Sequence, residues 1–131
     1  MSECVFCTVA EKNEPFHEIV WQDENFVAFL SAYPVKEGHV LVIPRVHADD
    51  LFDLDEETYL EMMRVSRDIA EKIKSIYSAV RVAVALEGMS VSHVHVHVIP
   101  VHEKSDISMH RTELGDPILM KQEAEKIRAV L

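Results

Sequence analysis

Three histidines, His93, His95 and His97, alternate with Val94, Val96 and Val98 in a run that ends Ile99-Pro100. Successive side chains of an extended chain point to opposite faces, so a spacing of two lines the imidazoles along one face and the valines along the other. Fold stability has no use for three neighbouring imidazoles, each bulky, polar and able to charge near neutral pH. Nucleophilic, acid–base or metal-binding chemistry does. A second cluster is Cys4-Val5-Phe6-Cys7. In a reducing compartment a C-x-x-C pair reads as a metal half-site or a redox motif more readily than as a structural disulfide, and a metal is the better expectation. Zinc would need two further ligands, and the chain holds eight histidines. Two thiols buried under a short helix would give the same spacing.

The elements that must position these residues follow from periodicity. Residues 19–22 and 25–30 are two short strands joined at Asp23-Glu24, a hairpin. Beyond an irregular stretch holding Pro34 and Gly38, residues 39–43 form an apolar core strand closed by Pro44. From Asp55 to about Tyr77 one long amphipathic helix is expected, with Leu60, Met63, Ile69, Ala70, Ile73 and Ile76 near helical spacing and Glu56 and Glu57 in its first turn. Residues 81–86 pair with the histidine run, and 117–131 form a C-terminal helix with Pro117 in its first turn. Strands split by one long helix predict an α+β fold, an antiparallel sheet with helices packed to one side. The order gives about five strands.

Composition bounds the function. The 131 residues make one domain, 1–131, with 48% hydrophobic and 27% charged residues, the pattern of a globular chain. A formal net charge of −10 argues against nucleic acid or anionic membrane as a partner. No 18-residue apolar run and no cationic start leading into an apolar core is found, so a cytoplasmic location is expected. Met62, Met63, Met89, Met109 and Met120 read as core filler before they read as a binding pocket.

The run from His93 to Ile99 resembles the H-φ-H-φ-H-φ-φ signature, φ being apolar, of the HIT (histidine triad) family of nucleotide hydrolases and transferases. The likeness extends over most of the chain. Residues 26–30, Pro34 and Gly38-His39-Val40-Leu41-Val42-Ile43-Pro44-Arg45-Val46-His47 are similar to the family's apolar strand, proline turn, G-H-x-L-V-I-P and following histidine. The long helix and residues 122–128 resemble bacterial members and the Fhit-like branch. The resemblance implies that His95 attacks the α-phosphorus of a nucleotide and forms a covalent nucleotidyl-imidazole that water hydrolyses. It implies that His97 stabilises developing charge or protonates the leaving group, and that His39 packs near the nucleophile and sets its orientation. It also implies a structural zinc on Cys4, Cys7, His47 and His93, although other branches use the first triad histidine as a hydrogen-bonding relay. Homodimers joined through the long helix and a sheet edge are typical of the family.

Departures from the pattern bear on the substrate. Ser31 stands where many members grip the ribose with Asp or Asn. The usual G-Q-[ST]-V becomes a compact loop in which Met89 replaces the phosphate-touching Gln and Ser90 keeps a hydroxyl. Ser31, Met89 and Ser90, with His95 and His97, are the expected nucleotide contacts. The expected function is hydrolysis or nucleotidyl transfer at the α-phosphorus of a purine nucleotide or dinucleotide, through His95. The losses at Ser31 and Met89 motivate one alternative, a nucleotide-binding sensor or partner-binding module with little turnover, and the clustered histidines and cysteines motivate another, a metal-handling site. His17, His102 and His110 match no motif and read as solvated surface.

Overall fold

A computed structural model of the chain describes residues 4–12, 18–106 and 113–131. Helix α1 (Val5–Lys12) leads into the hairpin of β1 (Ile19–Gln22) and β2 (Phe26–Leu30), followed by β3 (Val40–Pro44), α2 (Glu56–Ile76), β4 (Arg81–Ala85), β5 (Val96–Val101) and α3 (Pro117–Arg128). The strands form one five-stranded antiparallel sheet in the order β1-β2-β3-β5-β4. Each strand expected from the sequence is present, four with ends within a residue or so of expectation and the histidine run entering its strand only at Val96. Asp23 makes the hairpin turn by accepting the N–H groups of Asn25 and Phe26 at 2.8 and 2.7 Å, the local bond that suits Asp to turns. Asp55 caps α2 through the Thr58 N–H, and Asp116 caps α3 ahead of Pro117.

The sheet separates two apolar layers. On one face Phe26, Ala28, Leu30, Val40, Val42, Val94, Val96 and Val98 meet Met62, Val65, Ile69 and Ile73 of α2 and Met120, Ala124 and Ile127 of α3. On the other, Val27, Phe29, Leu41 and Ile43 meet Phe6, Val9 and Ala10 of α1. The expectation of helices on one side is therefore corrected: α2 and α3 share a face and α1 covers part of the opposite one. The reason lies in β2 and β3, whose residues are all buried and apolar on both sides. The buried stripe of α2 also runs through Met62 and Val65, leaving Leu60 57% exposed.

The histidine run is only partly strand. Pairing of β3 with β5 begins at Val42↔Val96 and ends at Val40↔Val98, so His93, Val94 and His95 precede the ladder. The alternation survives this departure, because Val94 still packs with Val96 and Val98 in the helix-covered layer. His97 lies directly opposite Leu41, and β3 carries Leu41 and Ile43 on the same face. That face, which α1 covers in part, holds the imidazoles.

The turn before β3 fixes His39. Gly38 has φ +87°, and a Cβ there would lie 2.6 Å from the Tyr77 ring. Its N–H donates to Glu123 Oε1 at 2.8 Å. Gly38→Ala is expected to cost about 1–3 kcal/mol through left-handed strain and the ring clash. A lower urea midpoint at unchanged slope checks this; an unchanged midpoint would show the turn to be unconstrained.

Candidate functional site

Two side-chain clusters meet on the sheet face that α1 partly covers. In the first, Cys4 and Cys7 of the α1 end converge with His47, which follows β3, and His93, which precedes β5; the four ligand atoms lie within 4.8 Å of one another. His93 Nδ1 is 3.4 Å from both sulfurs, and His47 Nδ1 is 3.2 Å from Cys7 Sγ. Ligand atoms on a tetrahedral zinc stand roughly 3.5 Å apart for a sulfur–nitrogen pair, given bonds of about 2.3 and 2.05 Å. His93 Nε2 is 2.8 Å from the Pro44 carbonyl, which only accepts, so the proton sits on Nε2 and the Nδ1 lone pair faces the sulfurs. That is the tautomer a metal-binding imidazole needs, held by a backbone carbonyl. Burial holds the His93 pKa below its ordinary value, against the Pro44 bond, which pulls it up. Two sulfurs and two imidazoles, with three of the four residues buried or half-buried, fit a closed structural zinc site.

The second cluster is a chain of imidazoles whose protons are placed by the backbone. Val35 N–H donates to His39 Nδ1 at 3.0 Å, so the proton of neutral His39 resides on Nε2. His39 Nε2 lies 2.9 Å from His97 Nδ1, which therefore accepts, and His97 keeps its own proton on Nε2. His95 has the opposite arrangement: its Nδ1 donates to the His93 carbonyl at 2.7 Å, leaving the Nε2 lone pair free. The two rings are 4.9 Å apart, and both are buried. Adjacent imidazoles thus offer one a lone pair and the other an N–H. Burial, with the neighbouring His97 and His95, pushes the His39 pKa down to about 3. Burial and then His95 also push His97 down, against an upward pull from Glu87.

His39, His95 and His97 are brought together as expected, and so are Cys4, Cys7, His47 and His93. Ser31 is buried at the end of β2, where its Oγ accepts the Tyr33 N–H at 3.3 Å and its N–H donates to the His39 carbonyl. Met89 is 87% exposed and Ser90 is exposed, so the loop that holds them shows its side chains to solvent. His102 is exposed and bonds the Tyr77 carbonyl at 2.8 Å; His17, His110 and Met109 lie outside the described residues. Two participants carried no assigned role in the sequence. Phe6, between the two cysteines, sets its ring edge-on against His95 at 5.1 Å and His93 at 6.2 Å. The Glu87 carboxylate reaches to 3.6 Å from His97 Nε2 and 3.9 Å from His95 Nε2. The available signal for Phe6 was its place inside the C-x-x-C motif, and for Glu87 its place at the start of the shortened loop.

The HIT domain family model matches residues 12–104. A HIT-like protein of Borreliella burgdorferi is 35% identical over 107 residues, covering 76% of each chain. The crystal structure of a zinc-bound histidine triad family protein from Mycobacterium smegmatis superposes with a TM-score of 0.82 at 30% identity, over 97% of this chain and 91% of that one. An adenosine 5'-monophosphoramidase of Saccharomyces cerevisiae is 28% identical over 77% of this chain and 64% of its own length.

The His39 pKa makes stability pH-dependent in a definite sense. Between pH 6.5 and about 3 the unfolded chain binds a proton at His39 that the folded chain refuses. Stability is therefore highest above 6.5 and falls as pH is lowered, with a slope from this group of up to about 1.4 kcal/mol per pH unit. Urea midpoints measured from pH 7 to 4 should decline less steeply for His39→Gln than for wild type. Parallel declines would show that His39 charges freely in the fold.

Proposed function

This chain belongs to the HIT family, and from that premise we propose that it cleaves a phosphoanhydride or phosphoramidate at the α-phosphorus of a purine nucleotide, with His95 as nucleophile. The observation that carries the reading is the opposed protonation of His95 and His97, one presenting a lone pair and the other an N–H from neighbouring positions. Neutral imidazole is a nucleophile near neutral pH, and its phosphorus adduct is labile enough to break again. His95 Nε2 forms the N–P bond while the bond from phosphorus to the leaving group breaks, its electron pair departing with that group, which takes a proton from water. The adduct's ring is then cationic, its Nδ1–H held by the His93 carbonyl. Water attacks the phosphorus, the N–P pair returns to Nε2, and the proton of the attacking water passes to solvent.

His97 donates a hydrogen bond to the phosphoryl oxygen through Nε2–H and stabilises the charge that builds there. It is not a proton donor in this scheme. Giving up that proton would require another at Nδ1, and His39, whose Nδ1 is occupied by the Val35 N–H, has only the one to give. His39 is a positioning residue. Ser31 is the candidate for ribose contact, and Met89 and Ser90 are the candidates for contact with the phosphate. Cys4, Cys7, His47 and His93 would hold a zinc ion, which with four protein ligands supplies structure and no open position for water. A homodimer, with the exposed parts of α2 and the edge strand β4 at its interface, and residence in the cytoplasm, where the thiols stay reduced, complete the reading. The activity of the yeast relative and the zinc in the mycobacterial structure support it.

With adenosine 5'-phosphoramidate as substrate, His95→Ala should lose about 10⁴-fold or more in turnover while still binding AMP, and wild type should show a nucleotidyl adduct on His95 by mass spectrometry. Undiminished turnover in the variant overturns the mechanism. Tight AMP binding by wild type with neither adduct nor turnover would instead make the chain a nucleotide sensor. Elemental analysis should find one zinc per chain, reduced in Cys4→Ser together with the thermal midpoint, because metal binding is coupled to folding. A metal-free wild type, or several equivalents per chain, would refute the structural site.

A further inference from the structure

Glu87 has no part in the scheme above, yet its side chain reaches into it. Oε1 faces the Nε2 atoms of His97 and His95 at 3.6 and 3.9 Å, while Oε2 accepts the Met89 N–H at 2.6 Å. The Glu87 side chain is 37% exposed, whereas both imidazoles are buried. Glu87, His95 and His97 together have the spacing of a cation site. The protonation chain argues against a cation. To ligate a metal through Nε2, His97 would have to move its proton to Nδ1, where His39 Nε2–H already donates, and His39 cannot yield because Val35 N–H occupies its Nδ1. The group His97 turns toward Glu87 is a donor, and it makes no hydrogen bond among the described residues although it is buried. At 3.6 Å the carboxylate attracts that N–H without satisfying it. One buried, unsatisfied donor, His97 Nε2–H, suits an anion's oxygen, and the Glu87 carboxylate already stands beside it.

We infer that Glu87 is a built-in competitor for the phosphate site formed by His95 Nε2 and His97 Nε2–H, and that its charge helps to decide which phosphoryl groups enter. This rests on the phosphate-binding reading of the two histidines. A substrate phosphoryl oxygen bound to His97 takes the place toward which the carboxylate now points, so Glu87 swings outward or meets the incoming group as a like charge. The swing is sterically open: Gly88 has φ +62° with nothing near a Cβ position, and Met89 and Ser90 stand in solvent. Repulsion grows with the charge on the incoming group. Glu87 therefore favours singly charged phosphorus, as in a nucleoside phosphoramidate or a diester linkage, over a terminal phosphate dianion, and speeds the departure of a monophosphate product. It acts as a specificity-determining residue that makes no bond to the reacting atoms.

The test is titration of inorganic phosphate at pH 8, where it is largely the dianion, and of dimethyl phosphate, a monoanion, into wild type, Glu87→Gln and His97→Ala, followed by imidazole ¹⁵N resonances. Gln keeps the size of the side chain and removes its charge. Phosphate should bind Glu87→Gln about fivefold more tightly than wild type, with a smaller gain for dimethyl phosphate, and His97→Ala should lose phosphate binding. Equal or weaker phosphate binding by Glu87→Gln overturns the competitor role and leaves the phosphate site standing. If neither anion moves the His95 or His97 resonances in wild type or in Glu87→Gln, the phosphate-binding reading falls, and the inference with it.

Discussion

The arrangement depends on one constraint: at the site each imidazole of the triad and its neighbour His39 is oriented by the protein itself, three of them directly by backbone groups that lie outside sheet pairing. Residues 93–95 precede the β5 ladder, so the Pro44 and His93 carbonyls meet imidazole N–H groups instead of strand amides. Val94 keeps this stretch against the fold by donating to the Ala48 carbonyl at 2.8 Å. Across the site the Val35 N–H does the same for His39. Buried polar groups must be paired, and here the pairing also decides which nitrogen carries the proton. A fully laddered strand would have used those backbone groups itself and left the imidazoles to choose their own tautomers.

Three chemically identical side chains two residues apart consequently have three functions available to them. His93 turns Nδ1 outward toward sulfur, His95 turns Nε2 outward as a bare lone pair, and His97 turns Nε2–H outward as a donor. The distinction costs burial: His93, His95 and His97 are all buried, and burial depresses the pKa values of His39, His93 and His97. Neutrality is what the scheme requires, since a protonated His95 is no nucleophile and a protonated His97 would break the acceptor end of the relay. The desolvation that weakens the fold in acid is the same effect that favours neutral His39 and His97.

Much of this was legible in the sequence because it rests on periodicity. Alternation at 94, 96 and 98 places the imidazoles opposite the valine layer whether or not the run is formally a strand, and Gly38-His39 ahead of an apolar strand places a fourth imidazole on the same face. The C-x-x-C pair was recognisable as a half-site, and the two histidines that complete it came from the family likeness, since no local pattern joins residues 4 and 7 to 47 and 93. Other features had no local signature. The side on which α1 packs follows from β2 and β3 being apolar on both faces, which a short apolar run does not reveal by itself. Glu87 is an exposed acid in a short loop, and its aim at two imidazoles is a product of how that loop closes. The proton on each ring is set by atoms far away in sequence, Val35 for His39 and Pro44 for His93.

Phe6 shows why the metal cluster and the imidazole chain are one construction. It lies between the two cysteines, and its ring packs edge-on against His95 and, on its other contacts, against Phe29 at 5.3 Å. Its position is determined by α1, and α1 is tied down at one end by the cysteines and at the other by Arg45, which donates to the Ala10 carbonyl. A zinc ion bound by Cys4, Cys7, His47 and His93 would therefore press an aromatic edge against the His95 ring and at the same time hold the residue whose carbonyl accepts the His95 Nδ1–H hydrogen bond. His93 is the joint: its side chain belongs to the metal cluster and its backbone oxygen to His95. Loss of the metal would then be felt at His95 through orientation, with no chemical step passing through the ion. A short helix on the otherwise open face of the sheet thus shapes the site without contributing a reacting atom.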